Sequence, residues 1–241
     1  AGVMADGVVV ERHEGTPQGG PLSPLLANVL LDEVDKELEK RGLVFARYAD
    51  DLNVYTGSKR AADDAMATLK RLFARLRLQV NEAKSTVARA WERKFLGYSF
   101  WVARGRVIRF RVAPAALAEM KDRVRVITSR TGGRSMTAIA AELRSYLTGW
   151  KLYFQLAETP RIFRGLDEWL RHRLRAVQLK QWKQGPTVCR ELLTRGVPVC
   201  VARAAAAHAR RWWAMAAHGG FQTALPTSYF DRLGIPRLAG P

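Results

Sequence analysis

The chain reads as an α+β protein in two parts, and three observations carry that reading. Up to position 112, short β-rich apolar runs such as Val8-Val9-Val10 and Val107-Ile108-Arg109-Phe110-Arg111-Val112 alternate with two long helical stretches. From 113 onward every apolar pattern has helical period, and most segments open on a proline. Charge divides near the same place: residues 1–100 hold 15 Lys/Arg against 14 Asp/Glu, while residues 101–241 hold 25 against 8. The expected architecture is an antiparallel sheet with helices on one face over 1–112, followed by an all-α domain over 113–241.

The elements follow in order. A strand is expected at 8–12, behind an Ala5-Asp6-Gly7 turn signal, and then a Gly/Pro-dense loop, Gly15-Thr16-Pro17-Gln18-Gly19-Gly20. Pro21, Ser23 and Pro24 open a helix at about 21–41. Two β-rich runs, Leu43-Val44-Phe45-Ala46-Arg47 and Leu52-Asn53-Val54-Tyr55-Thr56, then flank Tyr48-Ala49-Asp50-Asp51 and predict a hairpin with two carboxylates at its tip. A helix at 59–77 carries a second acidic pair, Asp63-Asp64, which reads as first-turn charge. Short strands follow to 112, and helices are expected at 114–128, 135–156, 160–184, 186–195 and 198–217.

Composition bounds the function. At 48% hydrophobic and 26% charged the chain is a folded protein, with no apolar run approaching a membrane span and no signal segment. Cys189, Cys200 and four scattered histidines offer neither a disulfide framework nor zinc spacing, so the expected compartment is reducing, most simply the cytoplasm. A net charge of +18 concentrated in the second part is the footprint of a polyanion-binding surface, nucleic acid first and an anionic membrane second. The Asp50-Asp51 pair admits two readings: a rigid mount for Mg²⁺ that leaves coordination positions for phosphates, or ordinary turn chemistry.

Four blocks in register favour the first. The Gly15-Thr16-Pro17-Gln18-Gly19-Gly20-Pro21-Leu22-Ser23-Pro24…Asn28 run, Tyr48-Ala49-Asp50-Asp51, Leu78-Gln79-Val80-Asn81-Glu82-Ala83-Lys84-Ser85, and Phe95-Leu96-Gly97-Tyr98 together resemble the palm of reverse transcriptases, in the form of the group II intron branch. The helices beyond 113, with Leu143-Arg144-Ser145-Tyr146-Leu147-Thr148-Gly149-Trp150-Lys151 carrying much of the likeness, resemble the thumb or maturase domain of the same proteins, so that the likeness runs from Gly15 to about Thr187.

The resemblance implies an RNA-directed DNA polymerase that works by two-metal nucleotidyl transfer on an RNA template and DNA primer with dNTP, and that binds group II intron RNA to assist splicing. Asp50 is then the direct Mg²⁺ ligand and Asp51 an accessory one, because neighbouring strand residues face opposite ways. Tyr48, two positions before Asp50, backs the primer end or packs across the hairpin. Gln18, Gly19 and Gly20 lie beside the incoming nucleotide, or the glycines serve only as a turn, and Lys84 faces the triphosphate. A palm of this kind also draws an aspartate from an earlier strand, and only fourteen residues precede Gly15. The chain is therefore expected to be a fragment, short of that ligand and of the fingers, and inactive alone. Rival expectations are a splicing factor with a vestigial polymerase and a domesticated enzyme of defence or repair.

For RNA, Arg161, Arg164, Arg171 and Arg175 recur at three, seven and four and are expected to form one phosphate-facing stripe, with Arg210 and Arg211 beside Trp212 and Trp213 as a further patch. Trp150, Tyr153 and Phe154 at helical spacing read as core rather than as a stacking platform.

Overall fold

The computed structural model describes residues 2–5, 8–11 and 21–240, with side chains described from 21 to 240. Gln18, Gly19 and Gly20 lie outside the described residues. The protein is α+β, and its chain divides into two compact units, residues 1–95 and 96–241.

In the first unit β1 (Gly2–Ala5) pairs antiparallel with β2 (Val8–Glu11), Ala5 opposite Val8. Helix α1 (Ser23–Lys40) starts on Pro24, a residue suited to a first turn that needs no N–H partner. Strands β3 (Val44–Tyr48) and β4 (Asp51–Tyr55) form the expected hairpin, and α2 (Lys59–Arg75) begins at Ser58, whose hydroxyl accepts the Ala61 N–H at 3.2 Å. A 3₁₀ turn at Ala90–Glu92 and a two-residue strand β5 (Lys94–Phe95) complete it. The core is small: Leu31, Val34 and Leu38 from one face of α1 meet Leu69 and Leu72 of α2, with Phe45, Leu52 and Val54 of the hairpin half-buried against them. The opposite face of α1 leaves Leu22, Leu25, Leu26 and Val29 exposed at helical spacing.

The second unit opens with a hairpin, β6 (Tyr98–Val102) and β7 (Ile108–Val112), in register Tyr98 to Val112. It packs with the helices that follow. Ala113 donates its N–H to Gly97 O at 2.8 Å, Glu158 its N–H to Phe110 O at 2.8 Å, and the Tyr98 hydroxyl donates to Tyr153 O. The unit boundary at 95/96 therefore lies upstream of the 112/113 change in sequence pattern.

Helices α3 (Pro114–Ile127), α4 (Met136–Tyr153) and α5 (Pro160–Trp182) form the centre, with Met120, Val124, Leu143, Leu147, Leu170 and Leu174 all buried between them. Around this lie α6 (Gly185–Thr194), α7 (Val199–Ala207), α8 (Trp212–Met215), α9 (Gly219–Ala224) and α10 (Thr227–Arg232).

The α+β expectation holds, the strands pairing as small antiparallel ladders among the described residues, and two finer expectations change. The helix expected over 198–217 breaks at 208–211, where turn hydrogen bonds (His208 N–H to Ala205 O, Arg211 N–H to His208 O) redirect the chain so that α8 packs on α5. Trp150 and Phe154 are buried as core, whereas Tyr153 is exposed and donates its hydroxyl to Leu96 O at 3.0 Å.

Candidate polymerase site and nucleic-acid interface

The β3–β4 turn is two residues long, Ala49 and Asp50, closed by the Tyr48–Asp51 pair. Ala49 has φ 53°, the left-handed value that the first position of a primed two-residue turn demands. Alanine adopts it at a cost of about 1–2 kcal/mol, so the turn is held from outside. Arg47 does the holding. Its Nε lies 2.9 Å from both carboxylate oxygens of Asp35 on α1, its two terminal nitrogens reach Asp35 Oδ2 at 2.5 Å and Asn28 Oδ1 at 2.9 Å, and it also donates to Ala49 O at 3.1 Å. Both ends of the Arg47–Asp35 pair are largely covered, and the Asp35 hydrogen bond holds the guanidinium pKa above its ordinary value. One side chain thus ties the turn to two positions, seven residues apart, on one face of α1. Arg47, Asp35 and Asn28 were missed as a network by sequence reasoning; the only local signal was an arginine placed mid-strand.

Asp50 and Asp51 are exposed, and among the described residues neither carboxylate has a hydrogen-bond or ion-pair partner. Tyr48 is 63% exposed and pairs directly with Asp51, so it shares a face with Asp51 and not, as expected, with Asp50, which sits in the turn itself. Lys84 stands in a turn organised by Asn81, whose side chain and carbonyl both accept the Lys84 N–H, and its ammonium is exposed. The donor chemistry suits a hard divalent cation: free carboxylate oxygens on a braced turn. It is a partial set, since among the described residues no group of three His, Cys, Asp or Glu side chains converges.

The arginine stripe of α5 does not stay at the surface. Arg161 and Arg164 are exposed, but Arg171 is 3% exposed and gives its hydrogen bonds to Asp231 Oδ1 and to the carbonyls of Ile235 and Pro236. Arg175 donates to Leu225 O at 3.0 Å. Burial lowers the pKa of both. The segment 231–239 crosses α5, pinned by Leu238 and Ala239 N–H groups on Asp167 and by Arg144 on the Leu233 and Gly234 carbonyls, and covers Arg171, while Arg175 turns to the Leu225 carbonyl at the end of α9. Arg210 and Arg211 are exposed and line an open cleft of about 580 Å³ with Lys183 and Pro186. Lys183 there adopts φ 62°, ψ −64°, closing a γ-turn through Gln184 N–H to Trp182 O at 2.7 Å.

No helix among the described residues is long and apolar enough to cross a membrane. Residues 6–100 match the family profile "Reverse transcriptase (RNA-dependent DNA polymerase)", and residues 117–195 match "Group II intron, maturase-specific domain". The chain is also similar to the retron Ec86 reverse transcriptase of Escherichia coli, 33% identical over 76 residues, which is 30% of this chain and 24% of that protein. It thus spans about a quarter of the length of this curated relative. The two profile matches, one in each part of the chain, support a group II intron reverse transcriptase/maturase.

Proposed function

We propose that this protein copies RNA into DNA by metal-assisted nucleotidyl transfer and binds group II intron RNA to assist its splicing. The observation that carries the reading is the pair of unpartnered carboxylates on a turn braced to α1 by Arg47, inside a reverse transcriptase match. Asp50 and Asp51 would hold Mg²⁺ together with a ligand from outside the described set, and the bound metal would supply charge to the α-phosphate and to the attacking primer hydroxyl. Arg47 sets the height of the turn, Tyr48 backs the primer end beside Asp51, and the exposed Lys84 ammonium suits a triphosphate. Gln18, Gly19 and Gly20 are assigned to the incoming nucleotide by resemblance alone. The helical unit, which carries most of the net charge, takes the RNA template, the DNA primer and the intron, with Arg161, Arg164, Arg210 and Arg211 exposed for phosphate. Two free cysteines, Cys189 and Cys200, suit a reducing cytoplasm.

The test is primer extension on an RNA template by the full-length protein. Asp50→Asn should lower the rate by about 10³-fold, the scale of one preorganised charge at a reaction centre, while Asp63→Asn on α2 leaves it unchanged. Extension that survives Asp50→Asn would end this reading.

A further inference from the structure

We infer that phosphates of folded RNA are gripped by a face of α3, α5 and α8 where five cations surround three tryptophans, and that this face reads charge and not bases. The inference rests on the RNA-binding reading above and names the surface responsible.

The geometry is as follows. Trp169, near the middle of α5, has Lys121 Nζ and Arg125 Cζ of α3 each 5.9 Å from its ring centre and Arg173 Cζ at 5.5 Å. Trp212 has Lys180 Nζ at 3.9 Å and Arg130 Cζ at 5.7 Å. Trp213 is flanked by Arg173 at 6.0 Å and by the His172 ring at 4.1 Å. Trp169, Arg173 and Lys180 recur at four and seven, so they share one stripe of α5, and Lys121 and Arg125 share one stripe of α3.

What these cations lack is carboxylate. Asp122 pairs with Arg125, but among the described residues Lys121, Arg130, Arg173 and Lys180 have no acidic partner. Elsewhere in this unit arginines are neutralised where acids exist, as Arg123 and Arg134 are on Glu142. Arg173, half-buried and hydrogen-bonded to Thr128 Oγ1 at 2.9 Å, has its pKa lowered by burial and then by Arg130 and Arg125, like charges near enough to repel it. The rings compensate part of that repulsion by cation–π attraction, and an external polyanion would compensate the rest while releasing its own counterions. The protein's own cations lie over the partly covered Trp169 and Trp212 rings, which leaves them poor platforms for bases, and with only Trp213 exposed, at 43%, recognition falls mainly to the phosphates. All five cations lie within the maturase-specific match, which is why RNA is the partner chosen over other polyanions.

The experiment is fluorescence anisotropy of the full chain with a labelled hairpin RNA over a potassium chloride series. Lys121→Gln/Arg125→Gln/Arg130→Gln/Lys180→Gln, which leaves the half-buried Arg173 in place, should flatten the log–log salt slope by about 3 units. If that variant does not fold, the exposed pair Arg125→Gln/Arg130→Gln should flatten it by about 1.5 units. Lys59→Gln/Arg60→Gln in the charge-balanced first unit should leave the slope alone. A hairpin of permuted sequence should bind with affinity equal to within about twofold.

Wild-type binding that is absent or indifferent to salt would overturn the RNA reading itself. Salt-dependent wild-type binding with an unchanged slope in the cluster variants, or an equal loss in the Lys59/Arg60 variant, would overturn this proposal alone. So would a strong preference between the two hairpins, or phosphatidylserine vesicles that outcompete the RNA for this face.

Discussion

Arg47 in the first unit and Arg171 in the second are both withdrawn from solvent, and both direct a guanidinium to one aspartate and to backbone carbonyls. Their surroundings differ. Arg47 is engaged at all three nitrogens, and its hydrogen bond to Asp35 raises its pKa; Arg171 has two buried nitrogens, Nε and Nη1, without a partner, and burial lowers its pKa. Arg47 ends on the carbonyl of the β3–β4 turn, whereas Arg171 ends on the segment that closes over α5. The same side chain is a positioning device in one place and a structural tie in the other, and what decides between them is the carbonyl at the far end.

Removing each arginine should separate the two roles. Arg171→Ala is expected to be the larger loss, about 3 kcal/mol from urea unfolding of the second unit, because it empties a packed site and unties the Ile235 and Pro236 carbonyls from α5. Arg47→Ala should cost about 2 kcal/mol, mainly by stranding Asp35, and should also slow primer extension by the full-length protein. If Arg171→Ala leaves the unfolding midpoint where it was, or Arg47→Ala leaves extension untouched, the contrast fails.

A smaller effect sharpens the first half of the comparison. Ala49 holds a positive φ only because Arg47 and the hairpin impose it, so Ala49→Gly should raise the midpoint, by about 1 kcal/mol. An unchanged or lower midpoint would mean that the turn is not strained.

The smallest concerns pH. The hydrogen bond from Arg237, followed by its charge and that of Arg171, lowers the pKa of Asp231, which is partly covered beneath the closing segment. A carboxyl whose folded pKa is lowered stabilises the protein above its ordinary value of about 3.9 and loses that contribution as pH falls through the folded pKa. The stability gap between wild type and Asp231→Asn should therefore shrink as pH drops from 5 toward 3. A gap that stays constant over that window would show that the Arg237 contact adds nothing through charge.

Much of this was legible in the residues. The hairpin around Tyr48-Ala49-Asp50-Asp51 was readable because strand propensity and a two-residue turn are local, and α3, α5 and α6 were readable because Pro114, Pro160 and Pro186 mark where helices start. The Arg47 network was not, since Asp35 and Asn28 stand 12 and 19 positions away and no local rule links them.

By itself the sequence determined the class of fold, the hairpin that presents Asp50 and Asp51, and the concentration of positive charge beyond residue 100, because periodicity, turn chemistry and net charge are properties of short windows or of simple counts. Tertiary structure alone decided which of those charges reach water. Arg161 and Arg171 follow the same helical stripe, yet one is exposed and the other is covered by a segment some 60 residues later. Periodicity says which residues share a face of a helix; only the chain that comes to lie on that face says whether it is surface.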